Sequence, residues 1–404
     1  MKKITDNIFC CGILNPNLRV FDIVMRTDFG TSYNSYVVKG SGGTAIIDGA
    51  HRRYEGIYRE ELEEALGGAA SRDGTRSDYL VVNHTEPDHS GAIPALLEAW
   101  PELVIVTNVA AAKNLRSITN REDLPLQIVK DGDTLDLGDK TLRFIIAPLL
   151  HWPDTMMTWL PEEGTLFSCD VFGCHYCEPG ALDTHIAWPE DYEAAFKYYF
   201  DCIFGPFRPH VQKGLQKLEG LDIQRVCPSH GPVLTRGCRL EAALENYRVW
   251  SLPQINSQFT IPVFYCSAYG CTRETGQAVR EGILEARPRA LCELYDLVDC
   301  DMAAMGALLN TCDAFLLGSP TINRDAVPPL WDLLSRADAV NTPKRPCALF
   351  GSYGWSGEAL PNLAARLEQL KCRLFGEQMK VCLVPSEEEL AGARAFGRRF
   401  AESL

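Results

Sequence analysis

Hydrophobic and polar positions follow two different patterns along this chain. Up to about Tyr247, short apolar runs rich in β-branched and aromatic residues are separated by polar turns. They include NSYVVKG (Asn34–Gly40), TAIIDGA (Thr44–Ala50), YLVVNH (Tyr79–His84), LVIVTN (Leu103–Asn108), LRFIIAP (Leu142–Pro148), MTWLPEEGTLFSCD (Met157–Asp170) and RVCPSH (Arg225–His230). Such runs predict strands, and the segments Ala92–Ala99 and Ala110–Arg116 between them predict helices. A helical connector near Leu240–Val249 and the polar stretch SLPQINSQ (Ser251–Gln258) then read as the end of one domain and a linker. Beyond it the pattern is regular. Strands at Ile261–Cys266, Arg289–Leu297, Ala314–Ser319, Pro346–Ser352 and Met379–Pro385 are each followed by a helix: Arg273–Ala286, Met302–Asn310, Pro328–Arg336, Leu360–Lys371 and Glu387–Ala401. Five such units predict a doubly wound parallel sheet with helices on both faces. The expected organisation is thus α/β, with one domain over 1–250 and a second over 256–404.

Composition narrows the partners. A chain of 404 residues with 46% hydrophobic and 23% charged residues reads as globular. Its net charge of −14 repels phosphate backbones, so no nucleic-acid partner is expected. No run of about 18 apolar residues marks a membrane span. The N-terminal MKKITDNIFCCGIL lacks the apolar core and cleavage site of a signal peptide. Sixteen cysteines are scattered, some within apolar strands (Cys266, Cys347, Cys382), which suits reduced thiols in a cytoplasm.

The candidate chemistry begins at NHTEPDHSG (Asn83–Gly91), which puts His84, Glu86, Asp88 and His89 within six positions. On an extended segment His84 and Glu86 share a side, and Asp88 continues the alternation. Downstream, His151, Asp170 and His230 each sit where an apolar run ends, and strand ends are where α/β folds build sites. A lone histidine at a strand end is more often a hydrogen-bonded surface residue than a ligand. Four coordinating groups packed into one turn are harder to explain that way. Six ligands (His84, Glu86, Asp88, His151, Asp170 and His230) exceed the need of one tetrahedral ion and suit two ions bridged by Asp170. Cys174 and Cys177 form a C-x-x-C that fits either a redox pair or free thiols.

A second constellation follows the strands of the C-terminal half. Ser267, Tyr269, Gly270, Cys271 and Thr272 fall where the first strand turns into a helix, whose free N–H groups can hold a phosphate. The loop lacks the G-K-[ST] ending of an ATP-binding loop and suits the single terminal phosphate of FMN. GSPTINRDAVP (Gly318–Pro328) and GSYGWSG (Gly351–Gly357) follow the third and fourth strands, and Tyr353 and Trp355 can cover a planar ring.

HTEPDHSG is similar to the H-x-H-x-D-H signature of the metallo-β-lactamase superfamily, with Glu86 in place of the second histidine. That variant resembles the flavodiiron proteins (A-type flavoproteins), whose ligand intervals are 62, 18 and about 60 residues. Here 62 residues separate Asp88 from His151, 18 separate His151 from Asp170, and 59 separate Asp170 from His230. GTSYNSYVV (Gly30–Val38) and LLHWPDTM (Leu149–Met156) also resemble that family, and the likeness runs over essentially the whole chain.

The resemblance implies an N-terminal αββα metallo-β-lactamase-like sandwich and a C-terminal flavodoxin-like domain. It implies His84, Glu86 and His151 on one iron, Asp88 and His230 on the other, and Asp170 between them. His89 stays open, since its equivalent can turn away and leave a position to solvent. Ser319, Pro320, Thr321 and Asn323, with Ser352, Tyr353, Gly354 and Trp355, would line the flavin ring. Trp152 and Asp154, beside His151, stand either behind the ligands or in packing roles. The implied activity is reduction of dioxygen to water, of nitric oxide to nitrous oxide, or both. The implied assembly is a head-to-tail homodimer or a dimer of dimers, in which each flavin meets the partner's irons. With no rubredoxin domain following Leu404, a separate donor is expected: rubredoxin, another flavoprotein or a reduced deazaflavin. A glutamate at position 86 adds negative charge that favours ferric iron, whereas histidine there favours zinc. Two alternatives stand against this: a zinc hydrolase with the flavodoxin-like half as a regulatory module, and an electron carrier with an inert N-terminal scaffold.

Overall fold

Adjacent residues on the N-terminal strands go to opposite cores. Val37, Ile46, Leu80 and Ile105 face one apolar cluster, and Val38, Ile47, Val81 and Val106 face another. This period-two split means that both faces of the sheet are covered, which is why these strands read as nearly continuous apolar runs. The computed structural model describes residues 1–67, 77–253 and 255–404. It divides into two compact units, Met1–Pro253 and Gln254–Leu404.

In the first unit, two sheets stack face to face. One runs in the order Lys2–Lys3, Ile8–Cys10, Tyr36–Lys39, Gly43–Ile47, Ser77–Val81, Val104–Thr107 and Leu126–Ile128, antiparallel at its start and parallel from Gly43 onward. The other runs Thr134–Asp136, Thr141–Ile146, Met156–Leu160, Thr165–Cys169, Arg225–Pro228 and Leu234–Thr235. The core between them mixes side chains of both, such as Val38, Ile47 and Val81 with Phe144, Met156 and Phe167. Helices cover the outer faces: Tyr58, Leu62, Leu96 and Leu115 on one side, Phe196, Val211 and Leu240 on the other. The result is a four-layer αββα sandwich.

The stretch expected as a single run over 157–170 is two antiparallel strands joined by the 3₁₀ turn Pro161–Glu163. Proline starts that turn and Gly164 closes it at φ 57°, as PEEG permits. Helices Glu55–Leu66, Pro189–Tyr199 and Arg208–Leu218 lie outside the segments expected to be helical.

The second unit is a sheet in which all four pairings are parallel. Its strands are Val263–Tyr265, Leu294–Asp296, Phe315–Pro320, Pro346–Tyr353 and Arg373–Cys382 in chain order, and they lie second-first-third-fourth-fifth in space. That order has a switch point between the first and third strands, where ligands bind in open α/β sheets. The last strand begins at Arg373, before the expected Met379. As an edge strand with mostly solvated residues around Gly376–Gln378, it carries little apolar signal. Helices Cys271–Ala286 and Glu387–Glu402 pack closely on one face of this sheet. No helix among the described residues is long and apolar enough to cross a membrane.

Candidate active site

Each ligand-type residue is fixed by the end of an element. The strand Ser77–Val81 stops short of Asn83, whose N–H donates to Asp48 Oδ1 at 2.7 Å and whose Nδ2 donates to Oδ2 at 3.0 Å. The chain then turns through His84 and Thr85. Glu86 precedes the short helix Pro87–Ser90, which carries Asp88 and His89. Ser90 Oγ donates back to Thr85 O at 2.8 Å and locks this turn. His151 lies between the strands Thr141–Ile146 and Met156–Leu160, in a turn tied by Leu149 N–H to Trp152 O at 2.7 Å. Asp170 and His230 follow the neighbouring parallel strands Thr165–Cys169 and Arg225–Pro228.

These turns converge on two groups that share Asp170. On one side, His151 Nε2 is 3.0 Å and His84 Nε2 is 3.2 Å from Glu86 Oε2, and both face Asp170 Oδ2, at 3.4 and 3.5 Å. On the other, His230 Nε2 is 3.1 Å from Asp88 Oδ2 and 3.5 Å from Asp170 Oδ1, and His89 Nε2 is 3.1 Å from the same Asp170 oxygen. All six residues singled out from the sequence meet here, and His89 joins the second group. Asp170 turns one oxygen to each group.

Remote atoms orient the imidazoles. His230 Nδ1 donates to Ser32 O at 2.6 Å, which leaves Nε2 bare for a cation. His84 Nδ1 lies 3.5 Å from Asp154 Oδ2, which itself accepts from Thr85 N–H and Oγ1 at 2.8 and 2.7 Å. Trp152 sets its ring edge-on to His84 at 5.1 Å and to His151 at 6.3 Å. Tyr199 donates its hydroxyl to Asp170 Oδ1 at 3.1 Å.

The electrostatics are those of a cation site. Burial opposes charge on His84, but hydrogen bonds with Asp154 and Glu86 outweigh it and raise the imidazole to about 8. His151 is raised to about 10 against burial by Asp170 and Glu86. Burial also opposes charge on Glu86 and Asp170, yet the surrounding histidines hold both well below the usual carboxylate range. At the mouth, burial and the neighbouring Glu86 push Asp22 up to about 6. Both oxygens of Asp88 and Oδ2 of Asp170 are buried without a hydrogen-bond partner. Buried carboxylate oxygens in that condition are costly unless a cation meets them. Imidazole and carboxylate donors, with no thiolate among the six, fit a pair of irons, which would displace the protons the histidines hold.

The three loops of the second unit also meet. Thr272 Oγ1 and Ser352 Oγ are 2.8 Å apart, and Thr321 N–H donates to Ser352 O at 2.8 Å. The helix Cys271–Ala286 starts from Gly270 at φ 92°, which has no side chain to cap it; Ser267 Oγ accepts from Arg273 N–H at 3.2 Å, and the N–H groups of Cys271 and Thr272 ahead of it suit an anion cradle. Tyr269 and Trp355 are 94% and 92% exposed, as suits aromatic faces that flank a flat ring. Ser319 accepts from Val327 N–H at 3.3 Å, and Asn323 bends its loop at φ 54°. Tyr353 ends the fourth strand beside Gly354 and Pro320 ends the third. These residues fit an FMN whose phosphate sits at Gly270–Thr272.

Sequence reasoning missed Tyr199, Ser32 O and Asp22. A carbonyl carries no side-chain signal, and Tyr199 lies in an aromatic helix segment indistinguishable from core. Asp22 belongs to a tight hairpin, Val20–Phe21 paired with Met25–Arg26, that no motif marks. Cys174 is buried and Cys177 half-buried, both as free thiols.

A profile for ODP family beta lactamases matches residues 31–231. The chain is 44% identical over 403 residues to a flavo-diiron protein of Clostridium acetobutylicum, covering 100% of this chain and 99% of that one. The chain belongs to the flavodiiron protein family. A type A flavoprotein of Rhodobacter capsulatus is 38% identical over 398 residues, covering 97% of this chain and 89% of the other. Among solved structures, rubredoxin oxygen:oxidoreductase from Desulfovibrio gigas superposes with a TM-score of 0.72 at 27% identity, covering 100% of this chain and 98% of that chain. Flavodiiron proteins are oxidoreductases that carry FMN and a non-haem diiron site, on a β-lactamase-like domain joined to a flavodoxin-like domain.

Proposed function

We propose that this flavodiiron protein reduces dioxygen to water, nitric oxide to nitrous oxide, or both, with electrons passed from FMN to a diiron site. The observation that carries the reading is Asp170, whose two oxygens face separate His-and-carboxylate groups. The diiron domain spans 1–250 and the FMN domain 256–404. His84, Glu86 and His151 would hold one iron and Asp88 and His230 the other, with Asp170 offering an oxygen to each and His89 within reach of the second group.

Bound FMN and iron supply electrons one or two at a time: four, with four protons, turn one dioxygen into two waters, and two, with two protons, turn two nitric oxides into nitrous oxide and water. The chain's own residues prepare that chemistry. Glu86, Asp88 and Asp170 supply negative charge that favours the higher oxidation state of iron. Ser32 O fixes the tautomer of His230, Asp154 Oδ2 stands 3.5 Å behind His84 Nδ1, and the Tyr199 hydroxyl holds Asp170 in place. Gly270, Cys271 and Thr272, with Ser267, take the flavin phosphate. Ser319, Pro320, Thr321, Asn323, Ser352, Tyr353, Gly354, Trp355 and Tyr269 border its ring. A cytoplasmic setting and a separate donor complete the reading. Rubredoxin is one candidate, since it forms part of the name of the Desulfovibrio gigas oxidoreductase.

The test is metal and flavin analysis of anaerobically purified protein, followed by consumption of each gas at an electrode after chemical reduction. About one FMN and a pair of irons per chain, with turnover of at least one gas, are expected. Zinc in the site with hydrolysis of a β-lactam or thioester overturns the reading.

A further inference from the structure

A cavity of about 180 Å³ lies beside the metal cluster, lined by Arg26, Asp28, His175, Ala194, Tyr198 and Tyr199, with Phe29 and Ala195. Its inner wall reaches the cluster twice. The Tyr199 hydroxyl touches Asp170, and the His175 ring lies 4.9 Å from that of His230. Its outer wall is solvent-facing: Arg26, Asp28, Ala194 and Tyr198 are exposed.

His175 is the unexplained residue. It is 4% exposed, and it belongs to neither metal group. Its Nδ1 is taken by Thr31 Oγ1 at 2.8 Å, and its ring is packed by Phe21 at 4.4 Å and Tyr199 at 4.9 Å. Nε2 has no hydrogen-bond partner. Whichever tautomer Thr31 selects, the second nitrogen needs a donor or an acceptor, and a polar atom this buried is rarely left alone. The cavity it borders has room for several waters, at about 30 Å³ each.

We propose that this cavity is a hydrated proton-entry port, in which a water held by His175 Nε2 heads a short row leading from bulk solvent to the metal cluster. The proposal rests on the gas-reducing function above, because that reaction consumes one proton for every electron at a buried site. His175 acts as a fixed hydrogen-bonding anchor and positioning residue, while the waters pass protons along. The faces of Phe29, Ala194 and Ala195 would also admit an apolar gas. The unpartnered nitrogen at the inner end and the charged residues at the mouth favour water.

Two experiments decide it, both on FMN- and iron-loaded protein. A crystal structure that resolves ordered water should show one at hydrogen-bonding distance from His175 Nε2; a dry cavity overturns the port. Ala194→Phe, at an exposed helical position, should plug the mouth without disturbing the core. Turnover at saturating gas should then fall roughly tenfold, as for a lost proton-transfer route. The solvent isotope effect should rise, with KM for the gas and the rate of flavin reduction unchanged. His175→Phe should show the same signature and His175→Gln, which keeps a polar atom, a milder one. Unaltered turnover and isotope effect in Ala194→Phe overturn the proposal. So does a loss confined to kcat/KM, which marks a gas passage. Should the parent protein consume neither gas, the functional reading fails, and the water beside Nε2 still decides whether the port exists.

Discussion

Asp170, Glu86 and Asp154 show how much of the site depends on single atoms. Asp170 joins two groups because each of its oxygens meets a different pair of histidines. Glu86 Oε2 lies against two imidazoles of one group, so exchanging it alters the charge and the reach of that group alone. Glu86→His is expected to lower iron content and gas turnover together, read by iron assay and electrode, with FMN retained. Normal turnover in that variant counts against a ligand role. Asp154 touches His84 from behind and also fixes Thr85. Asp154→Asn keeps the shape but weakens the pull on His84, and metal affinity should drop by about 10- to 100-fold in chelator competition. The six ligand-type residues were legible because three of them crowd with His89 into one turn and the other three end apolar runs. Tyr199 and Ser32 were not, since their contributions arise only once a helix and a strand are packed against the cluster.

Secondary structure was legible wherever burial is even. The three inner parallel strands of the second unit and the central strands of the first are covered on both faces, and their apolar runs show it. The pairs Lys2–Lys3 and Val20–Phe21, and the solvated edge strand Arg373–Cys382, carry little such pattern and were misplaced or unseen. Glycines betray a further feature. A Cβ at Gly282 would run into the backbone carbonyl of Arg394, and one at Gly397 into that of Val279. The helices Cys271–Ala286 and Glu387–Glu402 therefore touch backbone to backbone, and no flexible side chain is available to yield. Gly282→Ala should destabilise the second unit by about 1–3 kcal/mol, the range for overpacking, despite alanine's better helix propensity. Denaturant unfolding followed by flavin fluorescence measures it. An unchanged or raised midpoint would show that the helices can separate without loss.

Which flavin serves which iron pair is decided by how the chains assemble. The family resemblance implies a head-to-tail pair of chains, and each unit separately carries an apolar surface suited to being covered. In the second unit, Tyr269 and Trp355 stand almost fully exposed on the flavin loops, with Leu383 and Val384 also exposed. In the first, the hairpin that packs Phe21 on His175 and His230 lifts Ile23 and Val24 into solvent, at 94% and 80% exposure. Exposed apolar residues beside a redox site are better explained by a partner than by solubility. Complementation distinguishes the arrangements. Asp170→Ala removes the metal bridge, and Gly270→Val forces a branched residue into φ 92° in the phosphate loop. Each variant alone should be inactive. Unfolded and refolded together, half of the dimers should be mixed, and in a head-to-tail pair each mixed dimer has one intact flavin facing one intact iron site. Roughly a quarter of the parent activity should then return, on the statistics of random pairing into twofold dimers. Transfer within a single chain predicts none, because no chain in the mixture carries both an intact flavin loop and an intact metal cluster.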